Sequence, residues 1–149
     1  MEDISSTMDL IPTLEFLIPS PIVGKGRPRL CRRSGRVFTP KRTREYEKRA
    51  AGIASNAMAD LNLEPLSGPV GIRMVVAYPT PSRRRAEQGQ WCITGPSKYA
   101  DLDNILKAVL DSMNKIVYVD DCVVCAVKCT KRFAAAGEAP GVYVQVFEL

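Results

Sequence analysis

The sequence predicts an α+β domain: one mixed β-sheet with two main helices packed on it. Two segments repeat apolar residues at three- and four-residue spacing, as amphipathic helices do. Around them lie short apolar, β-branched runs closed by Pro or Gly, as strands are. Their order is strand, helix, strand, helix and then strands, which suits a single sheet carrying both helices. At 149 residues the chain fits one domain and is long enough to bury a core. Hydrophobic residues at 46% and charged residues at 25% exclude wholesale disorder.

Taken in order, Leu14, Phe16, Leu17 and Ile18 form a short apolar run closed by Pro19, a first strand. Residues 19–36 are rich in Gly, Pro and Arg and are expected to hold no regular element. Val37 and Phe38 make a brief second strand. Thr39 reads as an N-cap with Pro40 at the first helical position. Tyr46, Ala50, Ile53, Ala54, Ala57 and Leu61 then predict a helix over residues 41–61. Residues 68–78 are apolar and β-branched, a central strand ended by Pro79 and Pro81. Residues 82–100 read as a polar loop, long enough to be a functional loop that orders on substrate. Leu102, Ile105, Leu106, Val109, Leu110 and Met113 mark the second helix. Residues 117–119 suggest a brief strand, and residues 123–133 and 142–147 two longer strands paired as a hairpin. The acidic start, residues 1–12, is expected to be a flexible tail.

Charge points to a polyanionic partner. The net charge is +5, and Lys25, Arg27, Arg29, Arg32, Arg33, Arg36, Lys41, Arg42 and Arg44 fall in a stretch without a single acid. Clustered cations focus a field that scattered ones do not, so nucleic-acid contact is the expectation. The plainer reading is a solvated loop whose charge aids solubility. No window approaches the roughly 18 apolar residues of a membrane span. The start lacks the basic flank and apolar core of a signal peptide. A cytoplasmic setting is expected, with Cys31, Cys92, Cys122, Cys125 and Cys129 reduced. There is no histidine, which excludes imidazole bases, His-based triads and His–Cys zinc sites.

The chemistry concentrates in Asp101-Leu102-Asp103-Asn104-Ile105-Leu106-Lys107, answered by Val119-Asp120-Asp121. Clustered carboxylates suit a hard divalent cation such as Mg²⁺, which takes oxygen ligands and completes its shell with phosphate and water. Asp101 and Asp103 would point about 200° apart within a helix, but a loop running into a helix can aim both at one point. Lys107, four residues after Asp103, shares its helical face and can reach a phosphate there. Each acid also has a structural role open to it. Asp101 can cap the helix, Asp103 can favour its start, Asp103–Lys107 can be a surface pair worth ~0.3–0.5 kcal/mol, and Asp120–Asp121 can be a turn.

The segment Asp101-Leu102-Asp103-Asn104-Ile105-Leu106-Lys107-Ala108-Val109-Leu110-Asp111, followed by Val117-Tyr118-Val119-Asp120-Asp121, resembles the RusA family of Holliday-junction resolvases. Gly24-Lys25-Gly26-Arg27-Pro28-Arg29, and Phe38-Thr39-Pro40 leading to Tyr46-Glu47, are similar to its N-terminal half. The resemblance spans roughly residues 14–147. It implies a small, dimeric, Mg²⁺-dependent DNA endonuclease with a RusA-like fold, in which Mn²⁺ substitutes for Mg²⁺. It assigns Asp101, Asp103 and Asp121 as metal ligands and Lys107 as the catalytic lysine, with Asp120 in support. It departs from the family at Ala100, where relatives often have Pro, and at Cys122, where they often have a polar residue.

Cys122, Cys125 and Cys129 superficially suggest a metal or iron–sulfur site, but small buried hydrophobes on a strand are the favoured reading. The function implied is resolution of branched DNA, a four-way junction, by paired symmetric nicks that leave 5′-phosphate and 3′-hydroxyl ends. Lys25, Arg27, Arg29, Arg32, Arg33 and Arg36, with Arg83, Arg84 and Arg85, would grip the backbone away from the cut. Two nicks call for a two-fold homodimer. The alternatives are a non-catalytic branched-DNA-binding protein and a nuclease acting on flaps or forks.

Overall fold

A nine-residue run without an interruption, Val70–Tyr78, sets the middle of the fold. Val70, Ile72, Met74 and Val76 on one face are fully buried, and Gly71 and Ala77 on the other are buried too. Only Arg73 and Val75 on that second face are partly open, and a strand buried over this much of its length belongs inside a sheet. In the computed structural model, which describes Ser6 and residues 11–93 and 99–149, this strand is β4. It lies between β5 (Val124–Phe133), which runs parallel to it, and β6 (Gly141–Glu148), which runs antiparallel. β1 (Leu14–Pro19) pairs antiparallel with the far side of β6, giving the order β1-β6-β4-β5. A separate two-stranded ribbon joins β2 (Arg29–Leu30) to β3 (Val37–Phe38).

Both helices lie on one face of the sheet. α1 (Lys41–Asp60) buries Thr43, Tyr46, Ala50, Ala54 and Met58, the three- and four-residue spacing of its apolar stripe. α2 (Leu102–Met113) buries Ile105, Ala108, Val109, Ser112 and Met113. These stripes meet Val142, Val144 and Val146 of β6 and Leu14 and Ile18 of β1 in one core. Each such aliphatic side chain contributes about 1.5–3 kcal/mol when fully buried. Arg49 of α1 donates to the carbonyls of Pro19 and Pro21, both at 2.9 Å, and so fixes the corner after β1. Gly141 is glycine because β6 passes close to β1: a Cβ there would run into the Ile18 carbonyl.

The α+β architecture with a mixed four-stranded sheet and two helices agrees with the sequence, and five details differ. Residues 123–133 and 142–147 do not form a hairpin, because β4, the most buried strand, takes the place between them. β5 keeps the edge, with Cys125, Val127 and Lys128 exposed. Residues 117–119 are not a strand: Tyr118 makes only isolated bridges to Leu66 and Asn114. Arg29–Leu30 is a strand inside a stretch expected to have none, because the turn from Cys31 closes on the Arg36 carbonyl at 2.8 Å, with Gly35 at φ 65°. Pro40, not Thr39, occupies the cap position of α1, and no side chain caps it. In the expected loop, Ser82–Glu87 winds into a 3₁₀ turn and Trp91 bridges to Arg132 on β5. Residues 94–98 of that loop, and all but three residues of the expected tail 1–12, lie outside the described residues. No described helix is long and apolar enough to cross a membrane.

Candidate active site

The start of α2 is held from three sides. The Ala100 N–H donates to the Tyr78 hydroxyl at the end of β4, 3.2 Å away. Lys131 of β5 donates to the Ala100 carbonyl at 3.5 Å. The Lys25 N–H donates to the Asn104 carbonyl at 2.8 Å. Ala100 thus supplies an N–H that a proline would lack, and the fold uses it.

On this anchored start, Asp101 sits at the N-cap position in extended conformation, yet its side chain makes no capping hydrogen bond. Its carboxylate is exposed, as are Asp103 in the first turn and Lys107 one turn further on. A cap that does not cap leaves its charge available for something outside the helix.

Asp120 and Asp121 divide the work in a different way. The Asp120 carboxylate accepts the Cys122 N–H at 3.1 Å and caps the short 3₁₀ turn Asp121–Val123 that opens β5. That bond holds Asp120 below the ordinary carboxylate range. Asp121 is pushed up instead, first by its hydrogen bond to Asp120 and its like charge, then by slight desolvation and Asp111. Asp121 stands immediately before the edge strand β5.

Asp111 is the acid that sequence reasoning passed over. It follows Lys107 by four residues and Asp103 by eight, on the same exposed face of α2, and that spacing was a signal in plain view. Its carboxylate lies 2.8 Å from the Lys25 ammonium, which also lies 2.6 Å from Glu47 of α1. Burial lowers the Lys25 pKa, but hydrogen bonds to Asp111 and Glu47 outweigh it and hold the ammonium above its usual value. Lys25 is therefore a tie between the arm and both helices before it is a contact for DNA.

By donor chemistry Asp101, Asp103 and Asp121 fit a hard divalent cation: all three are exposed oxygen ligands, and Mg²⁺ needs only one or two carboxylates besides phosphate and water. Among the described residues, however, no three Asp, Glu or Cys side chains lie together as a metal-holding group. The same holds for Cys122, Cys125 and Cys129; burial pushes the Cys129 thiol up to about 11, whereas Cys122 and Cys125 are exposed.

The expected basic grip is only partly at the surface. Arg27, Arg29, Arg32, Arg33 and Arg36 are exposed along the arm and the β2–β3 ribbon. The ribbon also exposes Leu30, Val37 and Phe38, so it offers both charge and apolar surface. Arg83 and Arg85 are exposed as well, while Arg84 pairs with Glu87 at 3.2 Å and lies over the Phe133 ring.

A family model, described as that of endodeoxyribonuclease RusA, matches residues 19–147 and so includes every residue above. The chain is also 28% identical over 143 residues to the uncharacterized protein YqaN of Bacillus subtilis (strain 168), covering 91% of this chain and 96% of that relative.

Proposed function

As the chain belongs to the RusA endodeoxyribonuclease family, we propose that it resolves four-way DNA junctions by paired, symmetric, Mg²⁺-dependent nicks. One observation carries the reading: the Asp101 carboxylate stands uncapping at an anchored helix start, with Asp103 and Lys107 exposed beside it. Asp101, Asp103 and Asp121 would hold the ion, with Mn²⁺ an acceptable substitute. When bound, the metal supplies counter-charge to the phosphate and lowers the pKa of coordinated water.

The chain's own residues do the remaining work. Lys107 places an ammonium against the scissile phosphate and offsets the charge that builds on its oxygens. Asp120 holds Asp121 in place by capping the turn it opens. Tyr78, Lys131 and Lys25 keep Asp101 and Asp103 from drifting with the loop before them. The exposed arginines of the arm and ribbon bind backbone phosphates, which position the strand without reading its sequence. A two-fold dimer brings one such site to each of two strands, and the products carry 5′-phosphate and 3′-hydroxyl ends.

A panel of DNA shapes tests the substrate. Selective cutting of four-way junctions over flaps, forks and linear duplex is expected. Equal cutting of flaps would replace the resolvase reading with a general branch nuclease. The ungathered carboxylates favour one rival, a branched-DNA-binding protein that does not cut, which predicts tight junction binding with no products in Mg²⁺ or Mn²⁺.

A further inference from the structure

Where the arm crosses the starts of both helices, it leaves a cavity of about 640 Å³. That is within the usual size of a ligand site. Its lining is of two kinds. Lys25, Arg27, Arg29 and Arg42 bring positive charge, and among the described residues no Asp or Glu lines it. Val23, Pro40 and Tyr99 bring apolar surface. Ala100 and Asn104 complete the wall, and they flank Asp101 and Asp103 in the chain.

Two glycines keep the arm thin enough to lie there. A Cβ on Gly24 would come within 2.6 Å of Ala100 Cβ, and one on Gly26 within 2.9 Å of Thr43 Oγ1. Lys25 is already held by Glu47 and Asp111, whereas Arg27, Arg29 and Arg42 enter no ion pair with the described residues. Beside the cavity, a recess of about 220 Å³ shares Val23 and Arg42 with it and is lined by Tyr46. The Tyr46 hydroxyl is buried and has no hydrogen-bond partner among the described residues. Buried hydroxyls ordinarily have one, so this is a place built to meet water or a ligand.

A bare anion would use the arginines and leave the apolar walls idle, and an apolar ligand would do the reverse. A nucleotide uses both. We infer that the cavity holds one nucleotide of the cleaved strand drawn out of the base stack, its phosphate on Arg27, Arg29 and Arg42 and its base against Val23, Pro40 and Tyr99. The inference rests on the endonuclease reading above, and it moves Arg27 and Arg29 from a distant grip to the neighbourhood of the cut. Unstacking a base is least costly where pairing is already interrupted, as at a branch point.

An abasic scan tests it. Nucleotides within about three positions of the branch point are replaced, one at a time, by an abasic analogue, and junction binding is measured in EDTA. Loss of the base at one position of the nicked strand should weaken binding about ten-fold, with little effect elsewhere. In Arg42→Ala, an exposed position whose folding is checked by circular dichroism, that penalty should fall below about three-fold. Binding indifferent to base loss at every position, or an undiminished penalty in Arg42→Ala, would overturn the pocket while Mg²⁺-dependent junction cutting left the endonuclease reading intact. A protein that neither binds nor cuts junctions would bring down both.

Discussion

The Lys25 ammonium lies 2.8 Å from the Asp111 carboxylate, so the basic arm is tied to the same face of α2 that carries Asp103 and Lys107. Glu47 at 2.6 Å completes the tie from α1. One lysine thereby joins the arm, both helices and the candidate site.

Lys25→Met should destabilise the fold by about 1–2 kcal/mol, between the worth of an exposed pair and a buried one, because two carboxylates lose their cation. For a chain of this length that lowers Tm by about 3–6 °C. Because the folded-state pKa of Lys25 is raised, its contribution is complete below about 10.5 and is lost only as pH rises beyond that. The Tm gap between wild type and Lys25→Met should therefore be flat from pH 6 to 9 and close above 10.5. Adding Glu47→Gln and Asp111→Asn should recover most of the loss; an unchanged Tm in Lys25→Met would refute the tie.

A second ion pair carries the opposite pH dependence. Arg132 holds Glu138 through two short bonds, 2.5 and 2.6 Å, and the Ala135 N–H adds a third at 2.8 Å, closing the turn between β5 and β6. The Arg132 guanidinium keeps the Glu138 carboxyl below its ordinary range. Its stabilisation is thus present above about pH 4.5 and lost as pH falls through the depressed folded value. Glu138→Gln should cost about 1 kcal/mol at pH 7 and nothing measurable at pH 3, read by urea unfolding at both. A gap that persists at pH 3 would assign the cost to packing instead.

Asp103→Asn keeps the shape of the helix start and removes one ligand charge. Cleavage in Mg²⁺ should fall by about a hundred-fold or more, while junction affinity stays equal or rises with the loss of a negative charge. Normal cutting by this variant would remove Asp103 from the site.

Binding should be steeply salt-dependent, because the exposed arginines of the arm and ribbon displace counterions from phosphate. With about six contacts, affinity should drop roughly a thousand-fold between about 50 and 200 mM salt. Removing Arg32 and Arg33 together should flatten the log–log slope by about two. A flat dependence in the wild type would contradict the grip.

The elements that could be read from the sequence are those whose signal is local. The stripe of α2 and the Asp-x-Asp-Asn-x-x-Lys segment at its start lie within one run of residues, and both appear where expected. Strand pairing is not local. β5 and β6 are neighbours in sequence, yet β4 separates them because burying its long apolar run outweighs the short connection. The ties of Lys25 are not local either: in sequence it is one of nine cations, and only folding brings Glu47 and Asp111 to it. Arg42 and Tyr99 share a cavity although the rest of α1 and all of β4 lie between them in the chain. The idle Asp101 cap is a matter of side-chain geometry, which spacing alone does not encode.

Cleavage itself is read from a four-way junction labelled on opposing strands, incubated with Mg²⁺ and separately with EDTA. Nicks are expected at symmetry-related positions on two opposing strands, with religatable 5′-phosphate ends, and none in EDTA. Intact junctions in Mg²⁺ and in Mn²⁺, with the protein bound, would contradict the endonuclease reading and leave the aspartates as parts of a helix start and a turn.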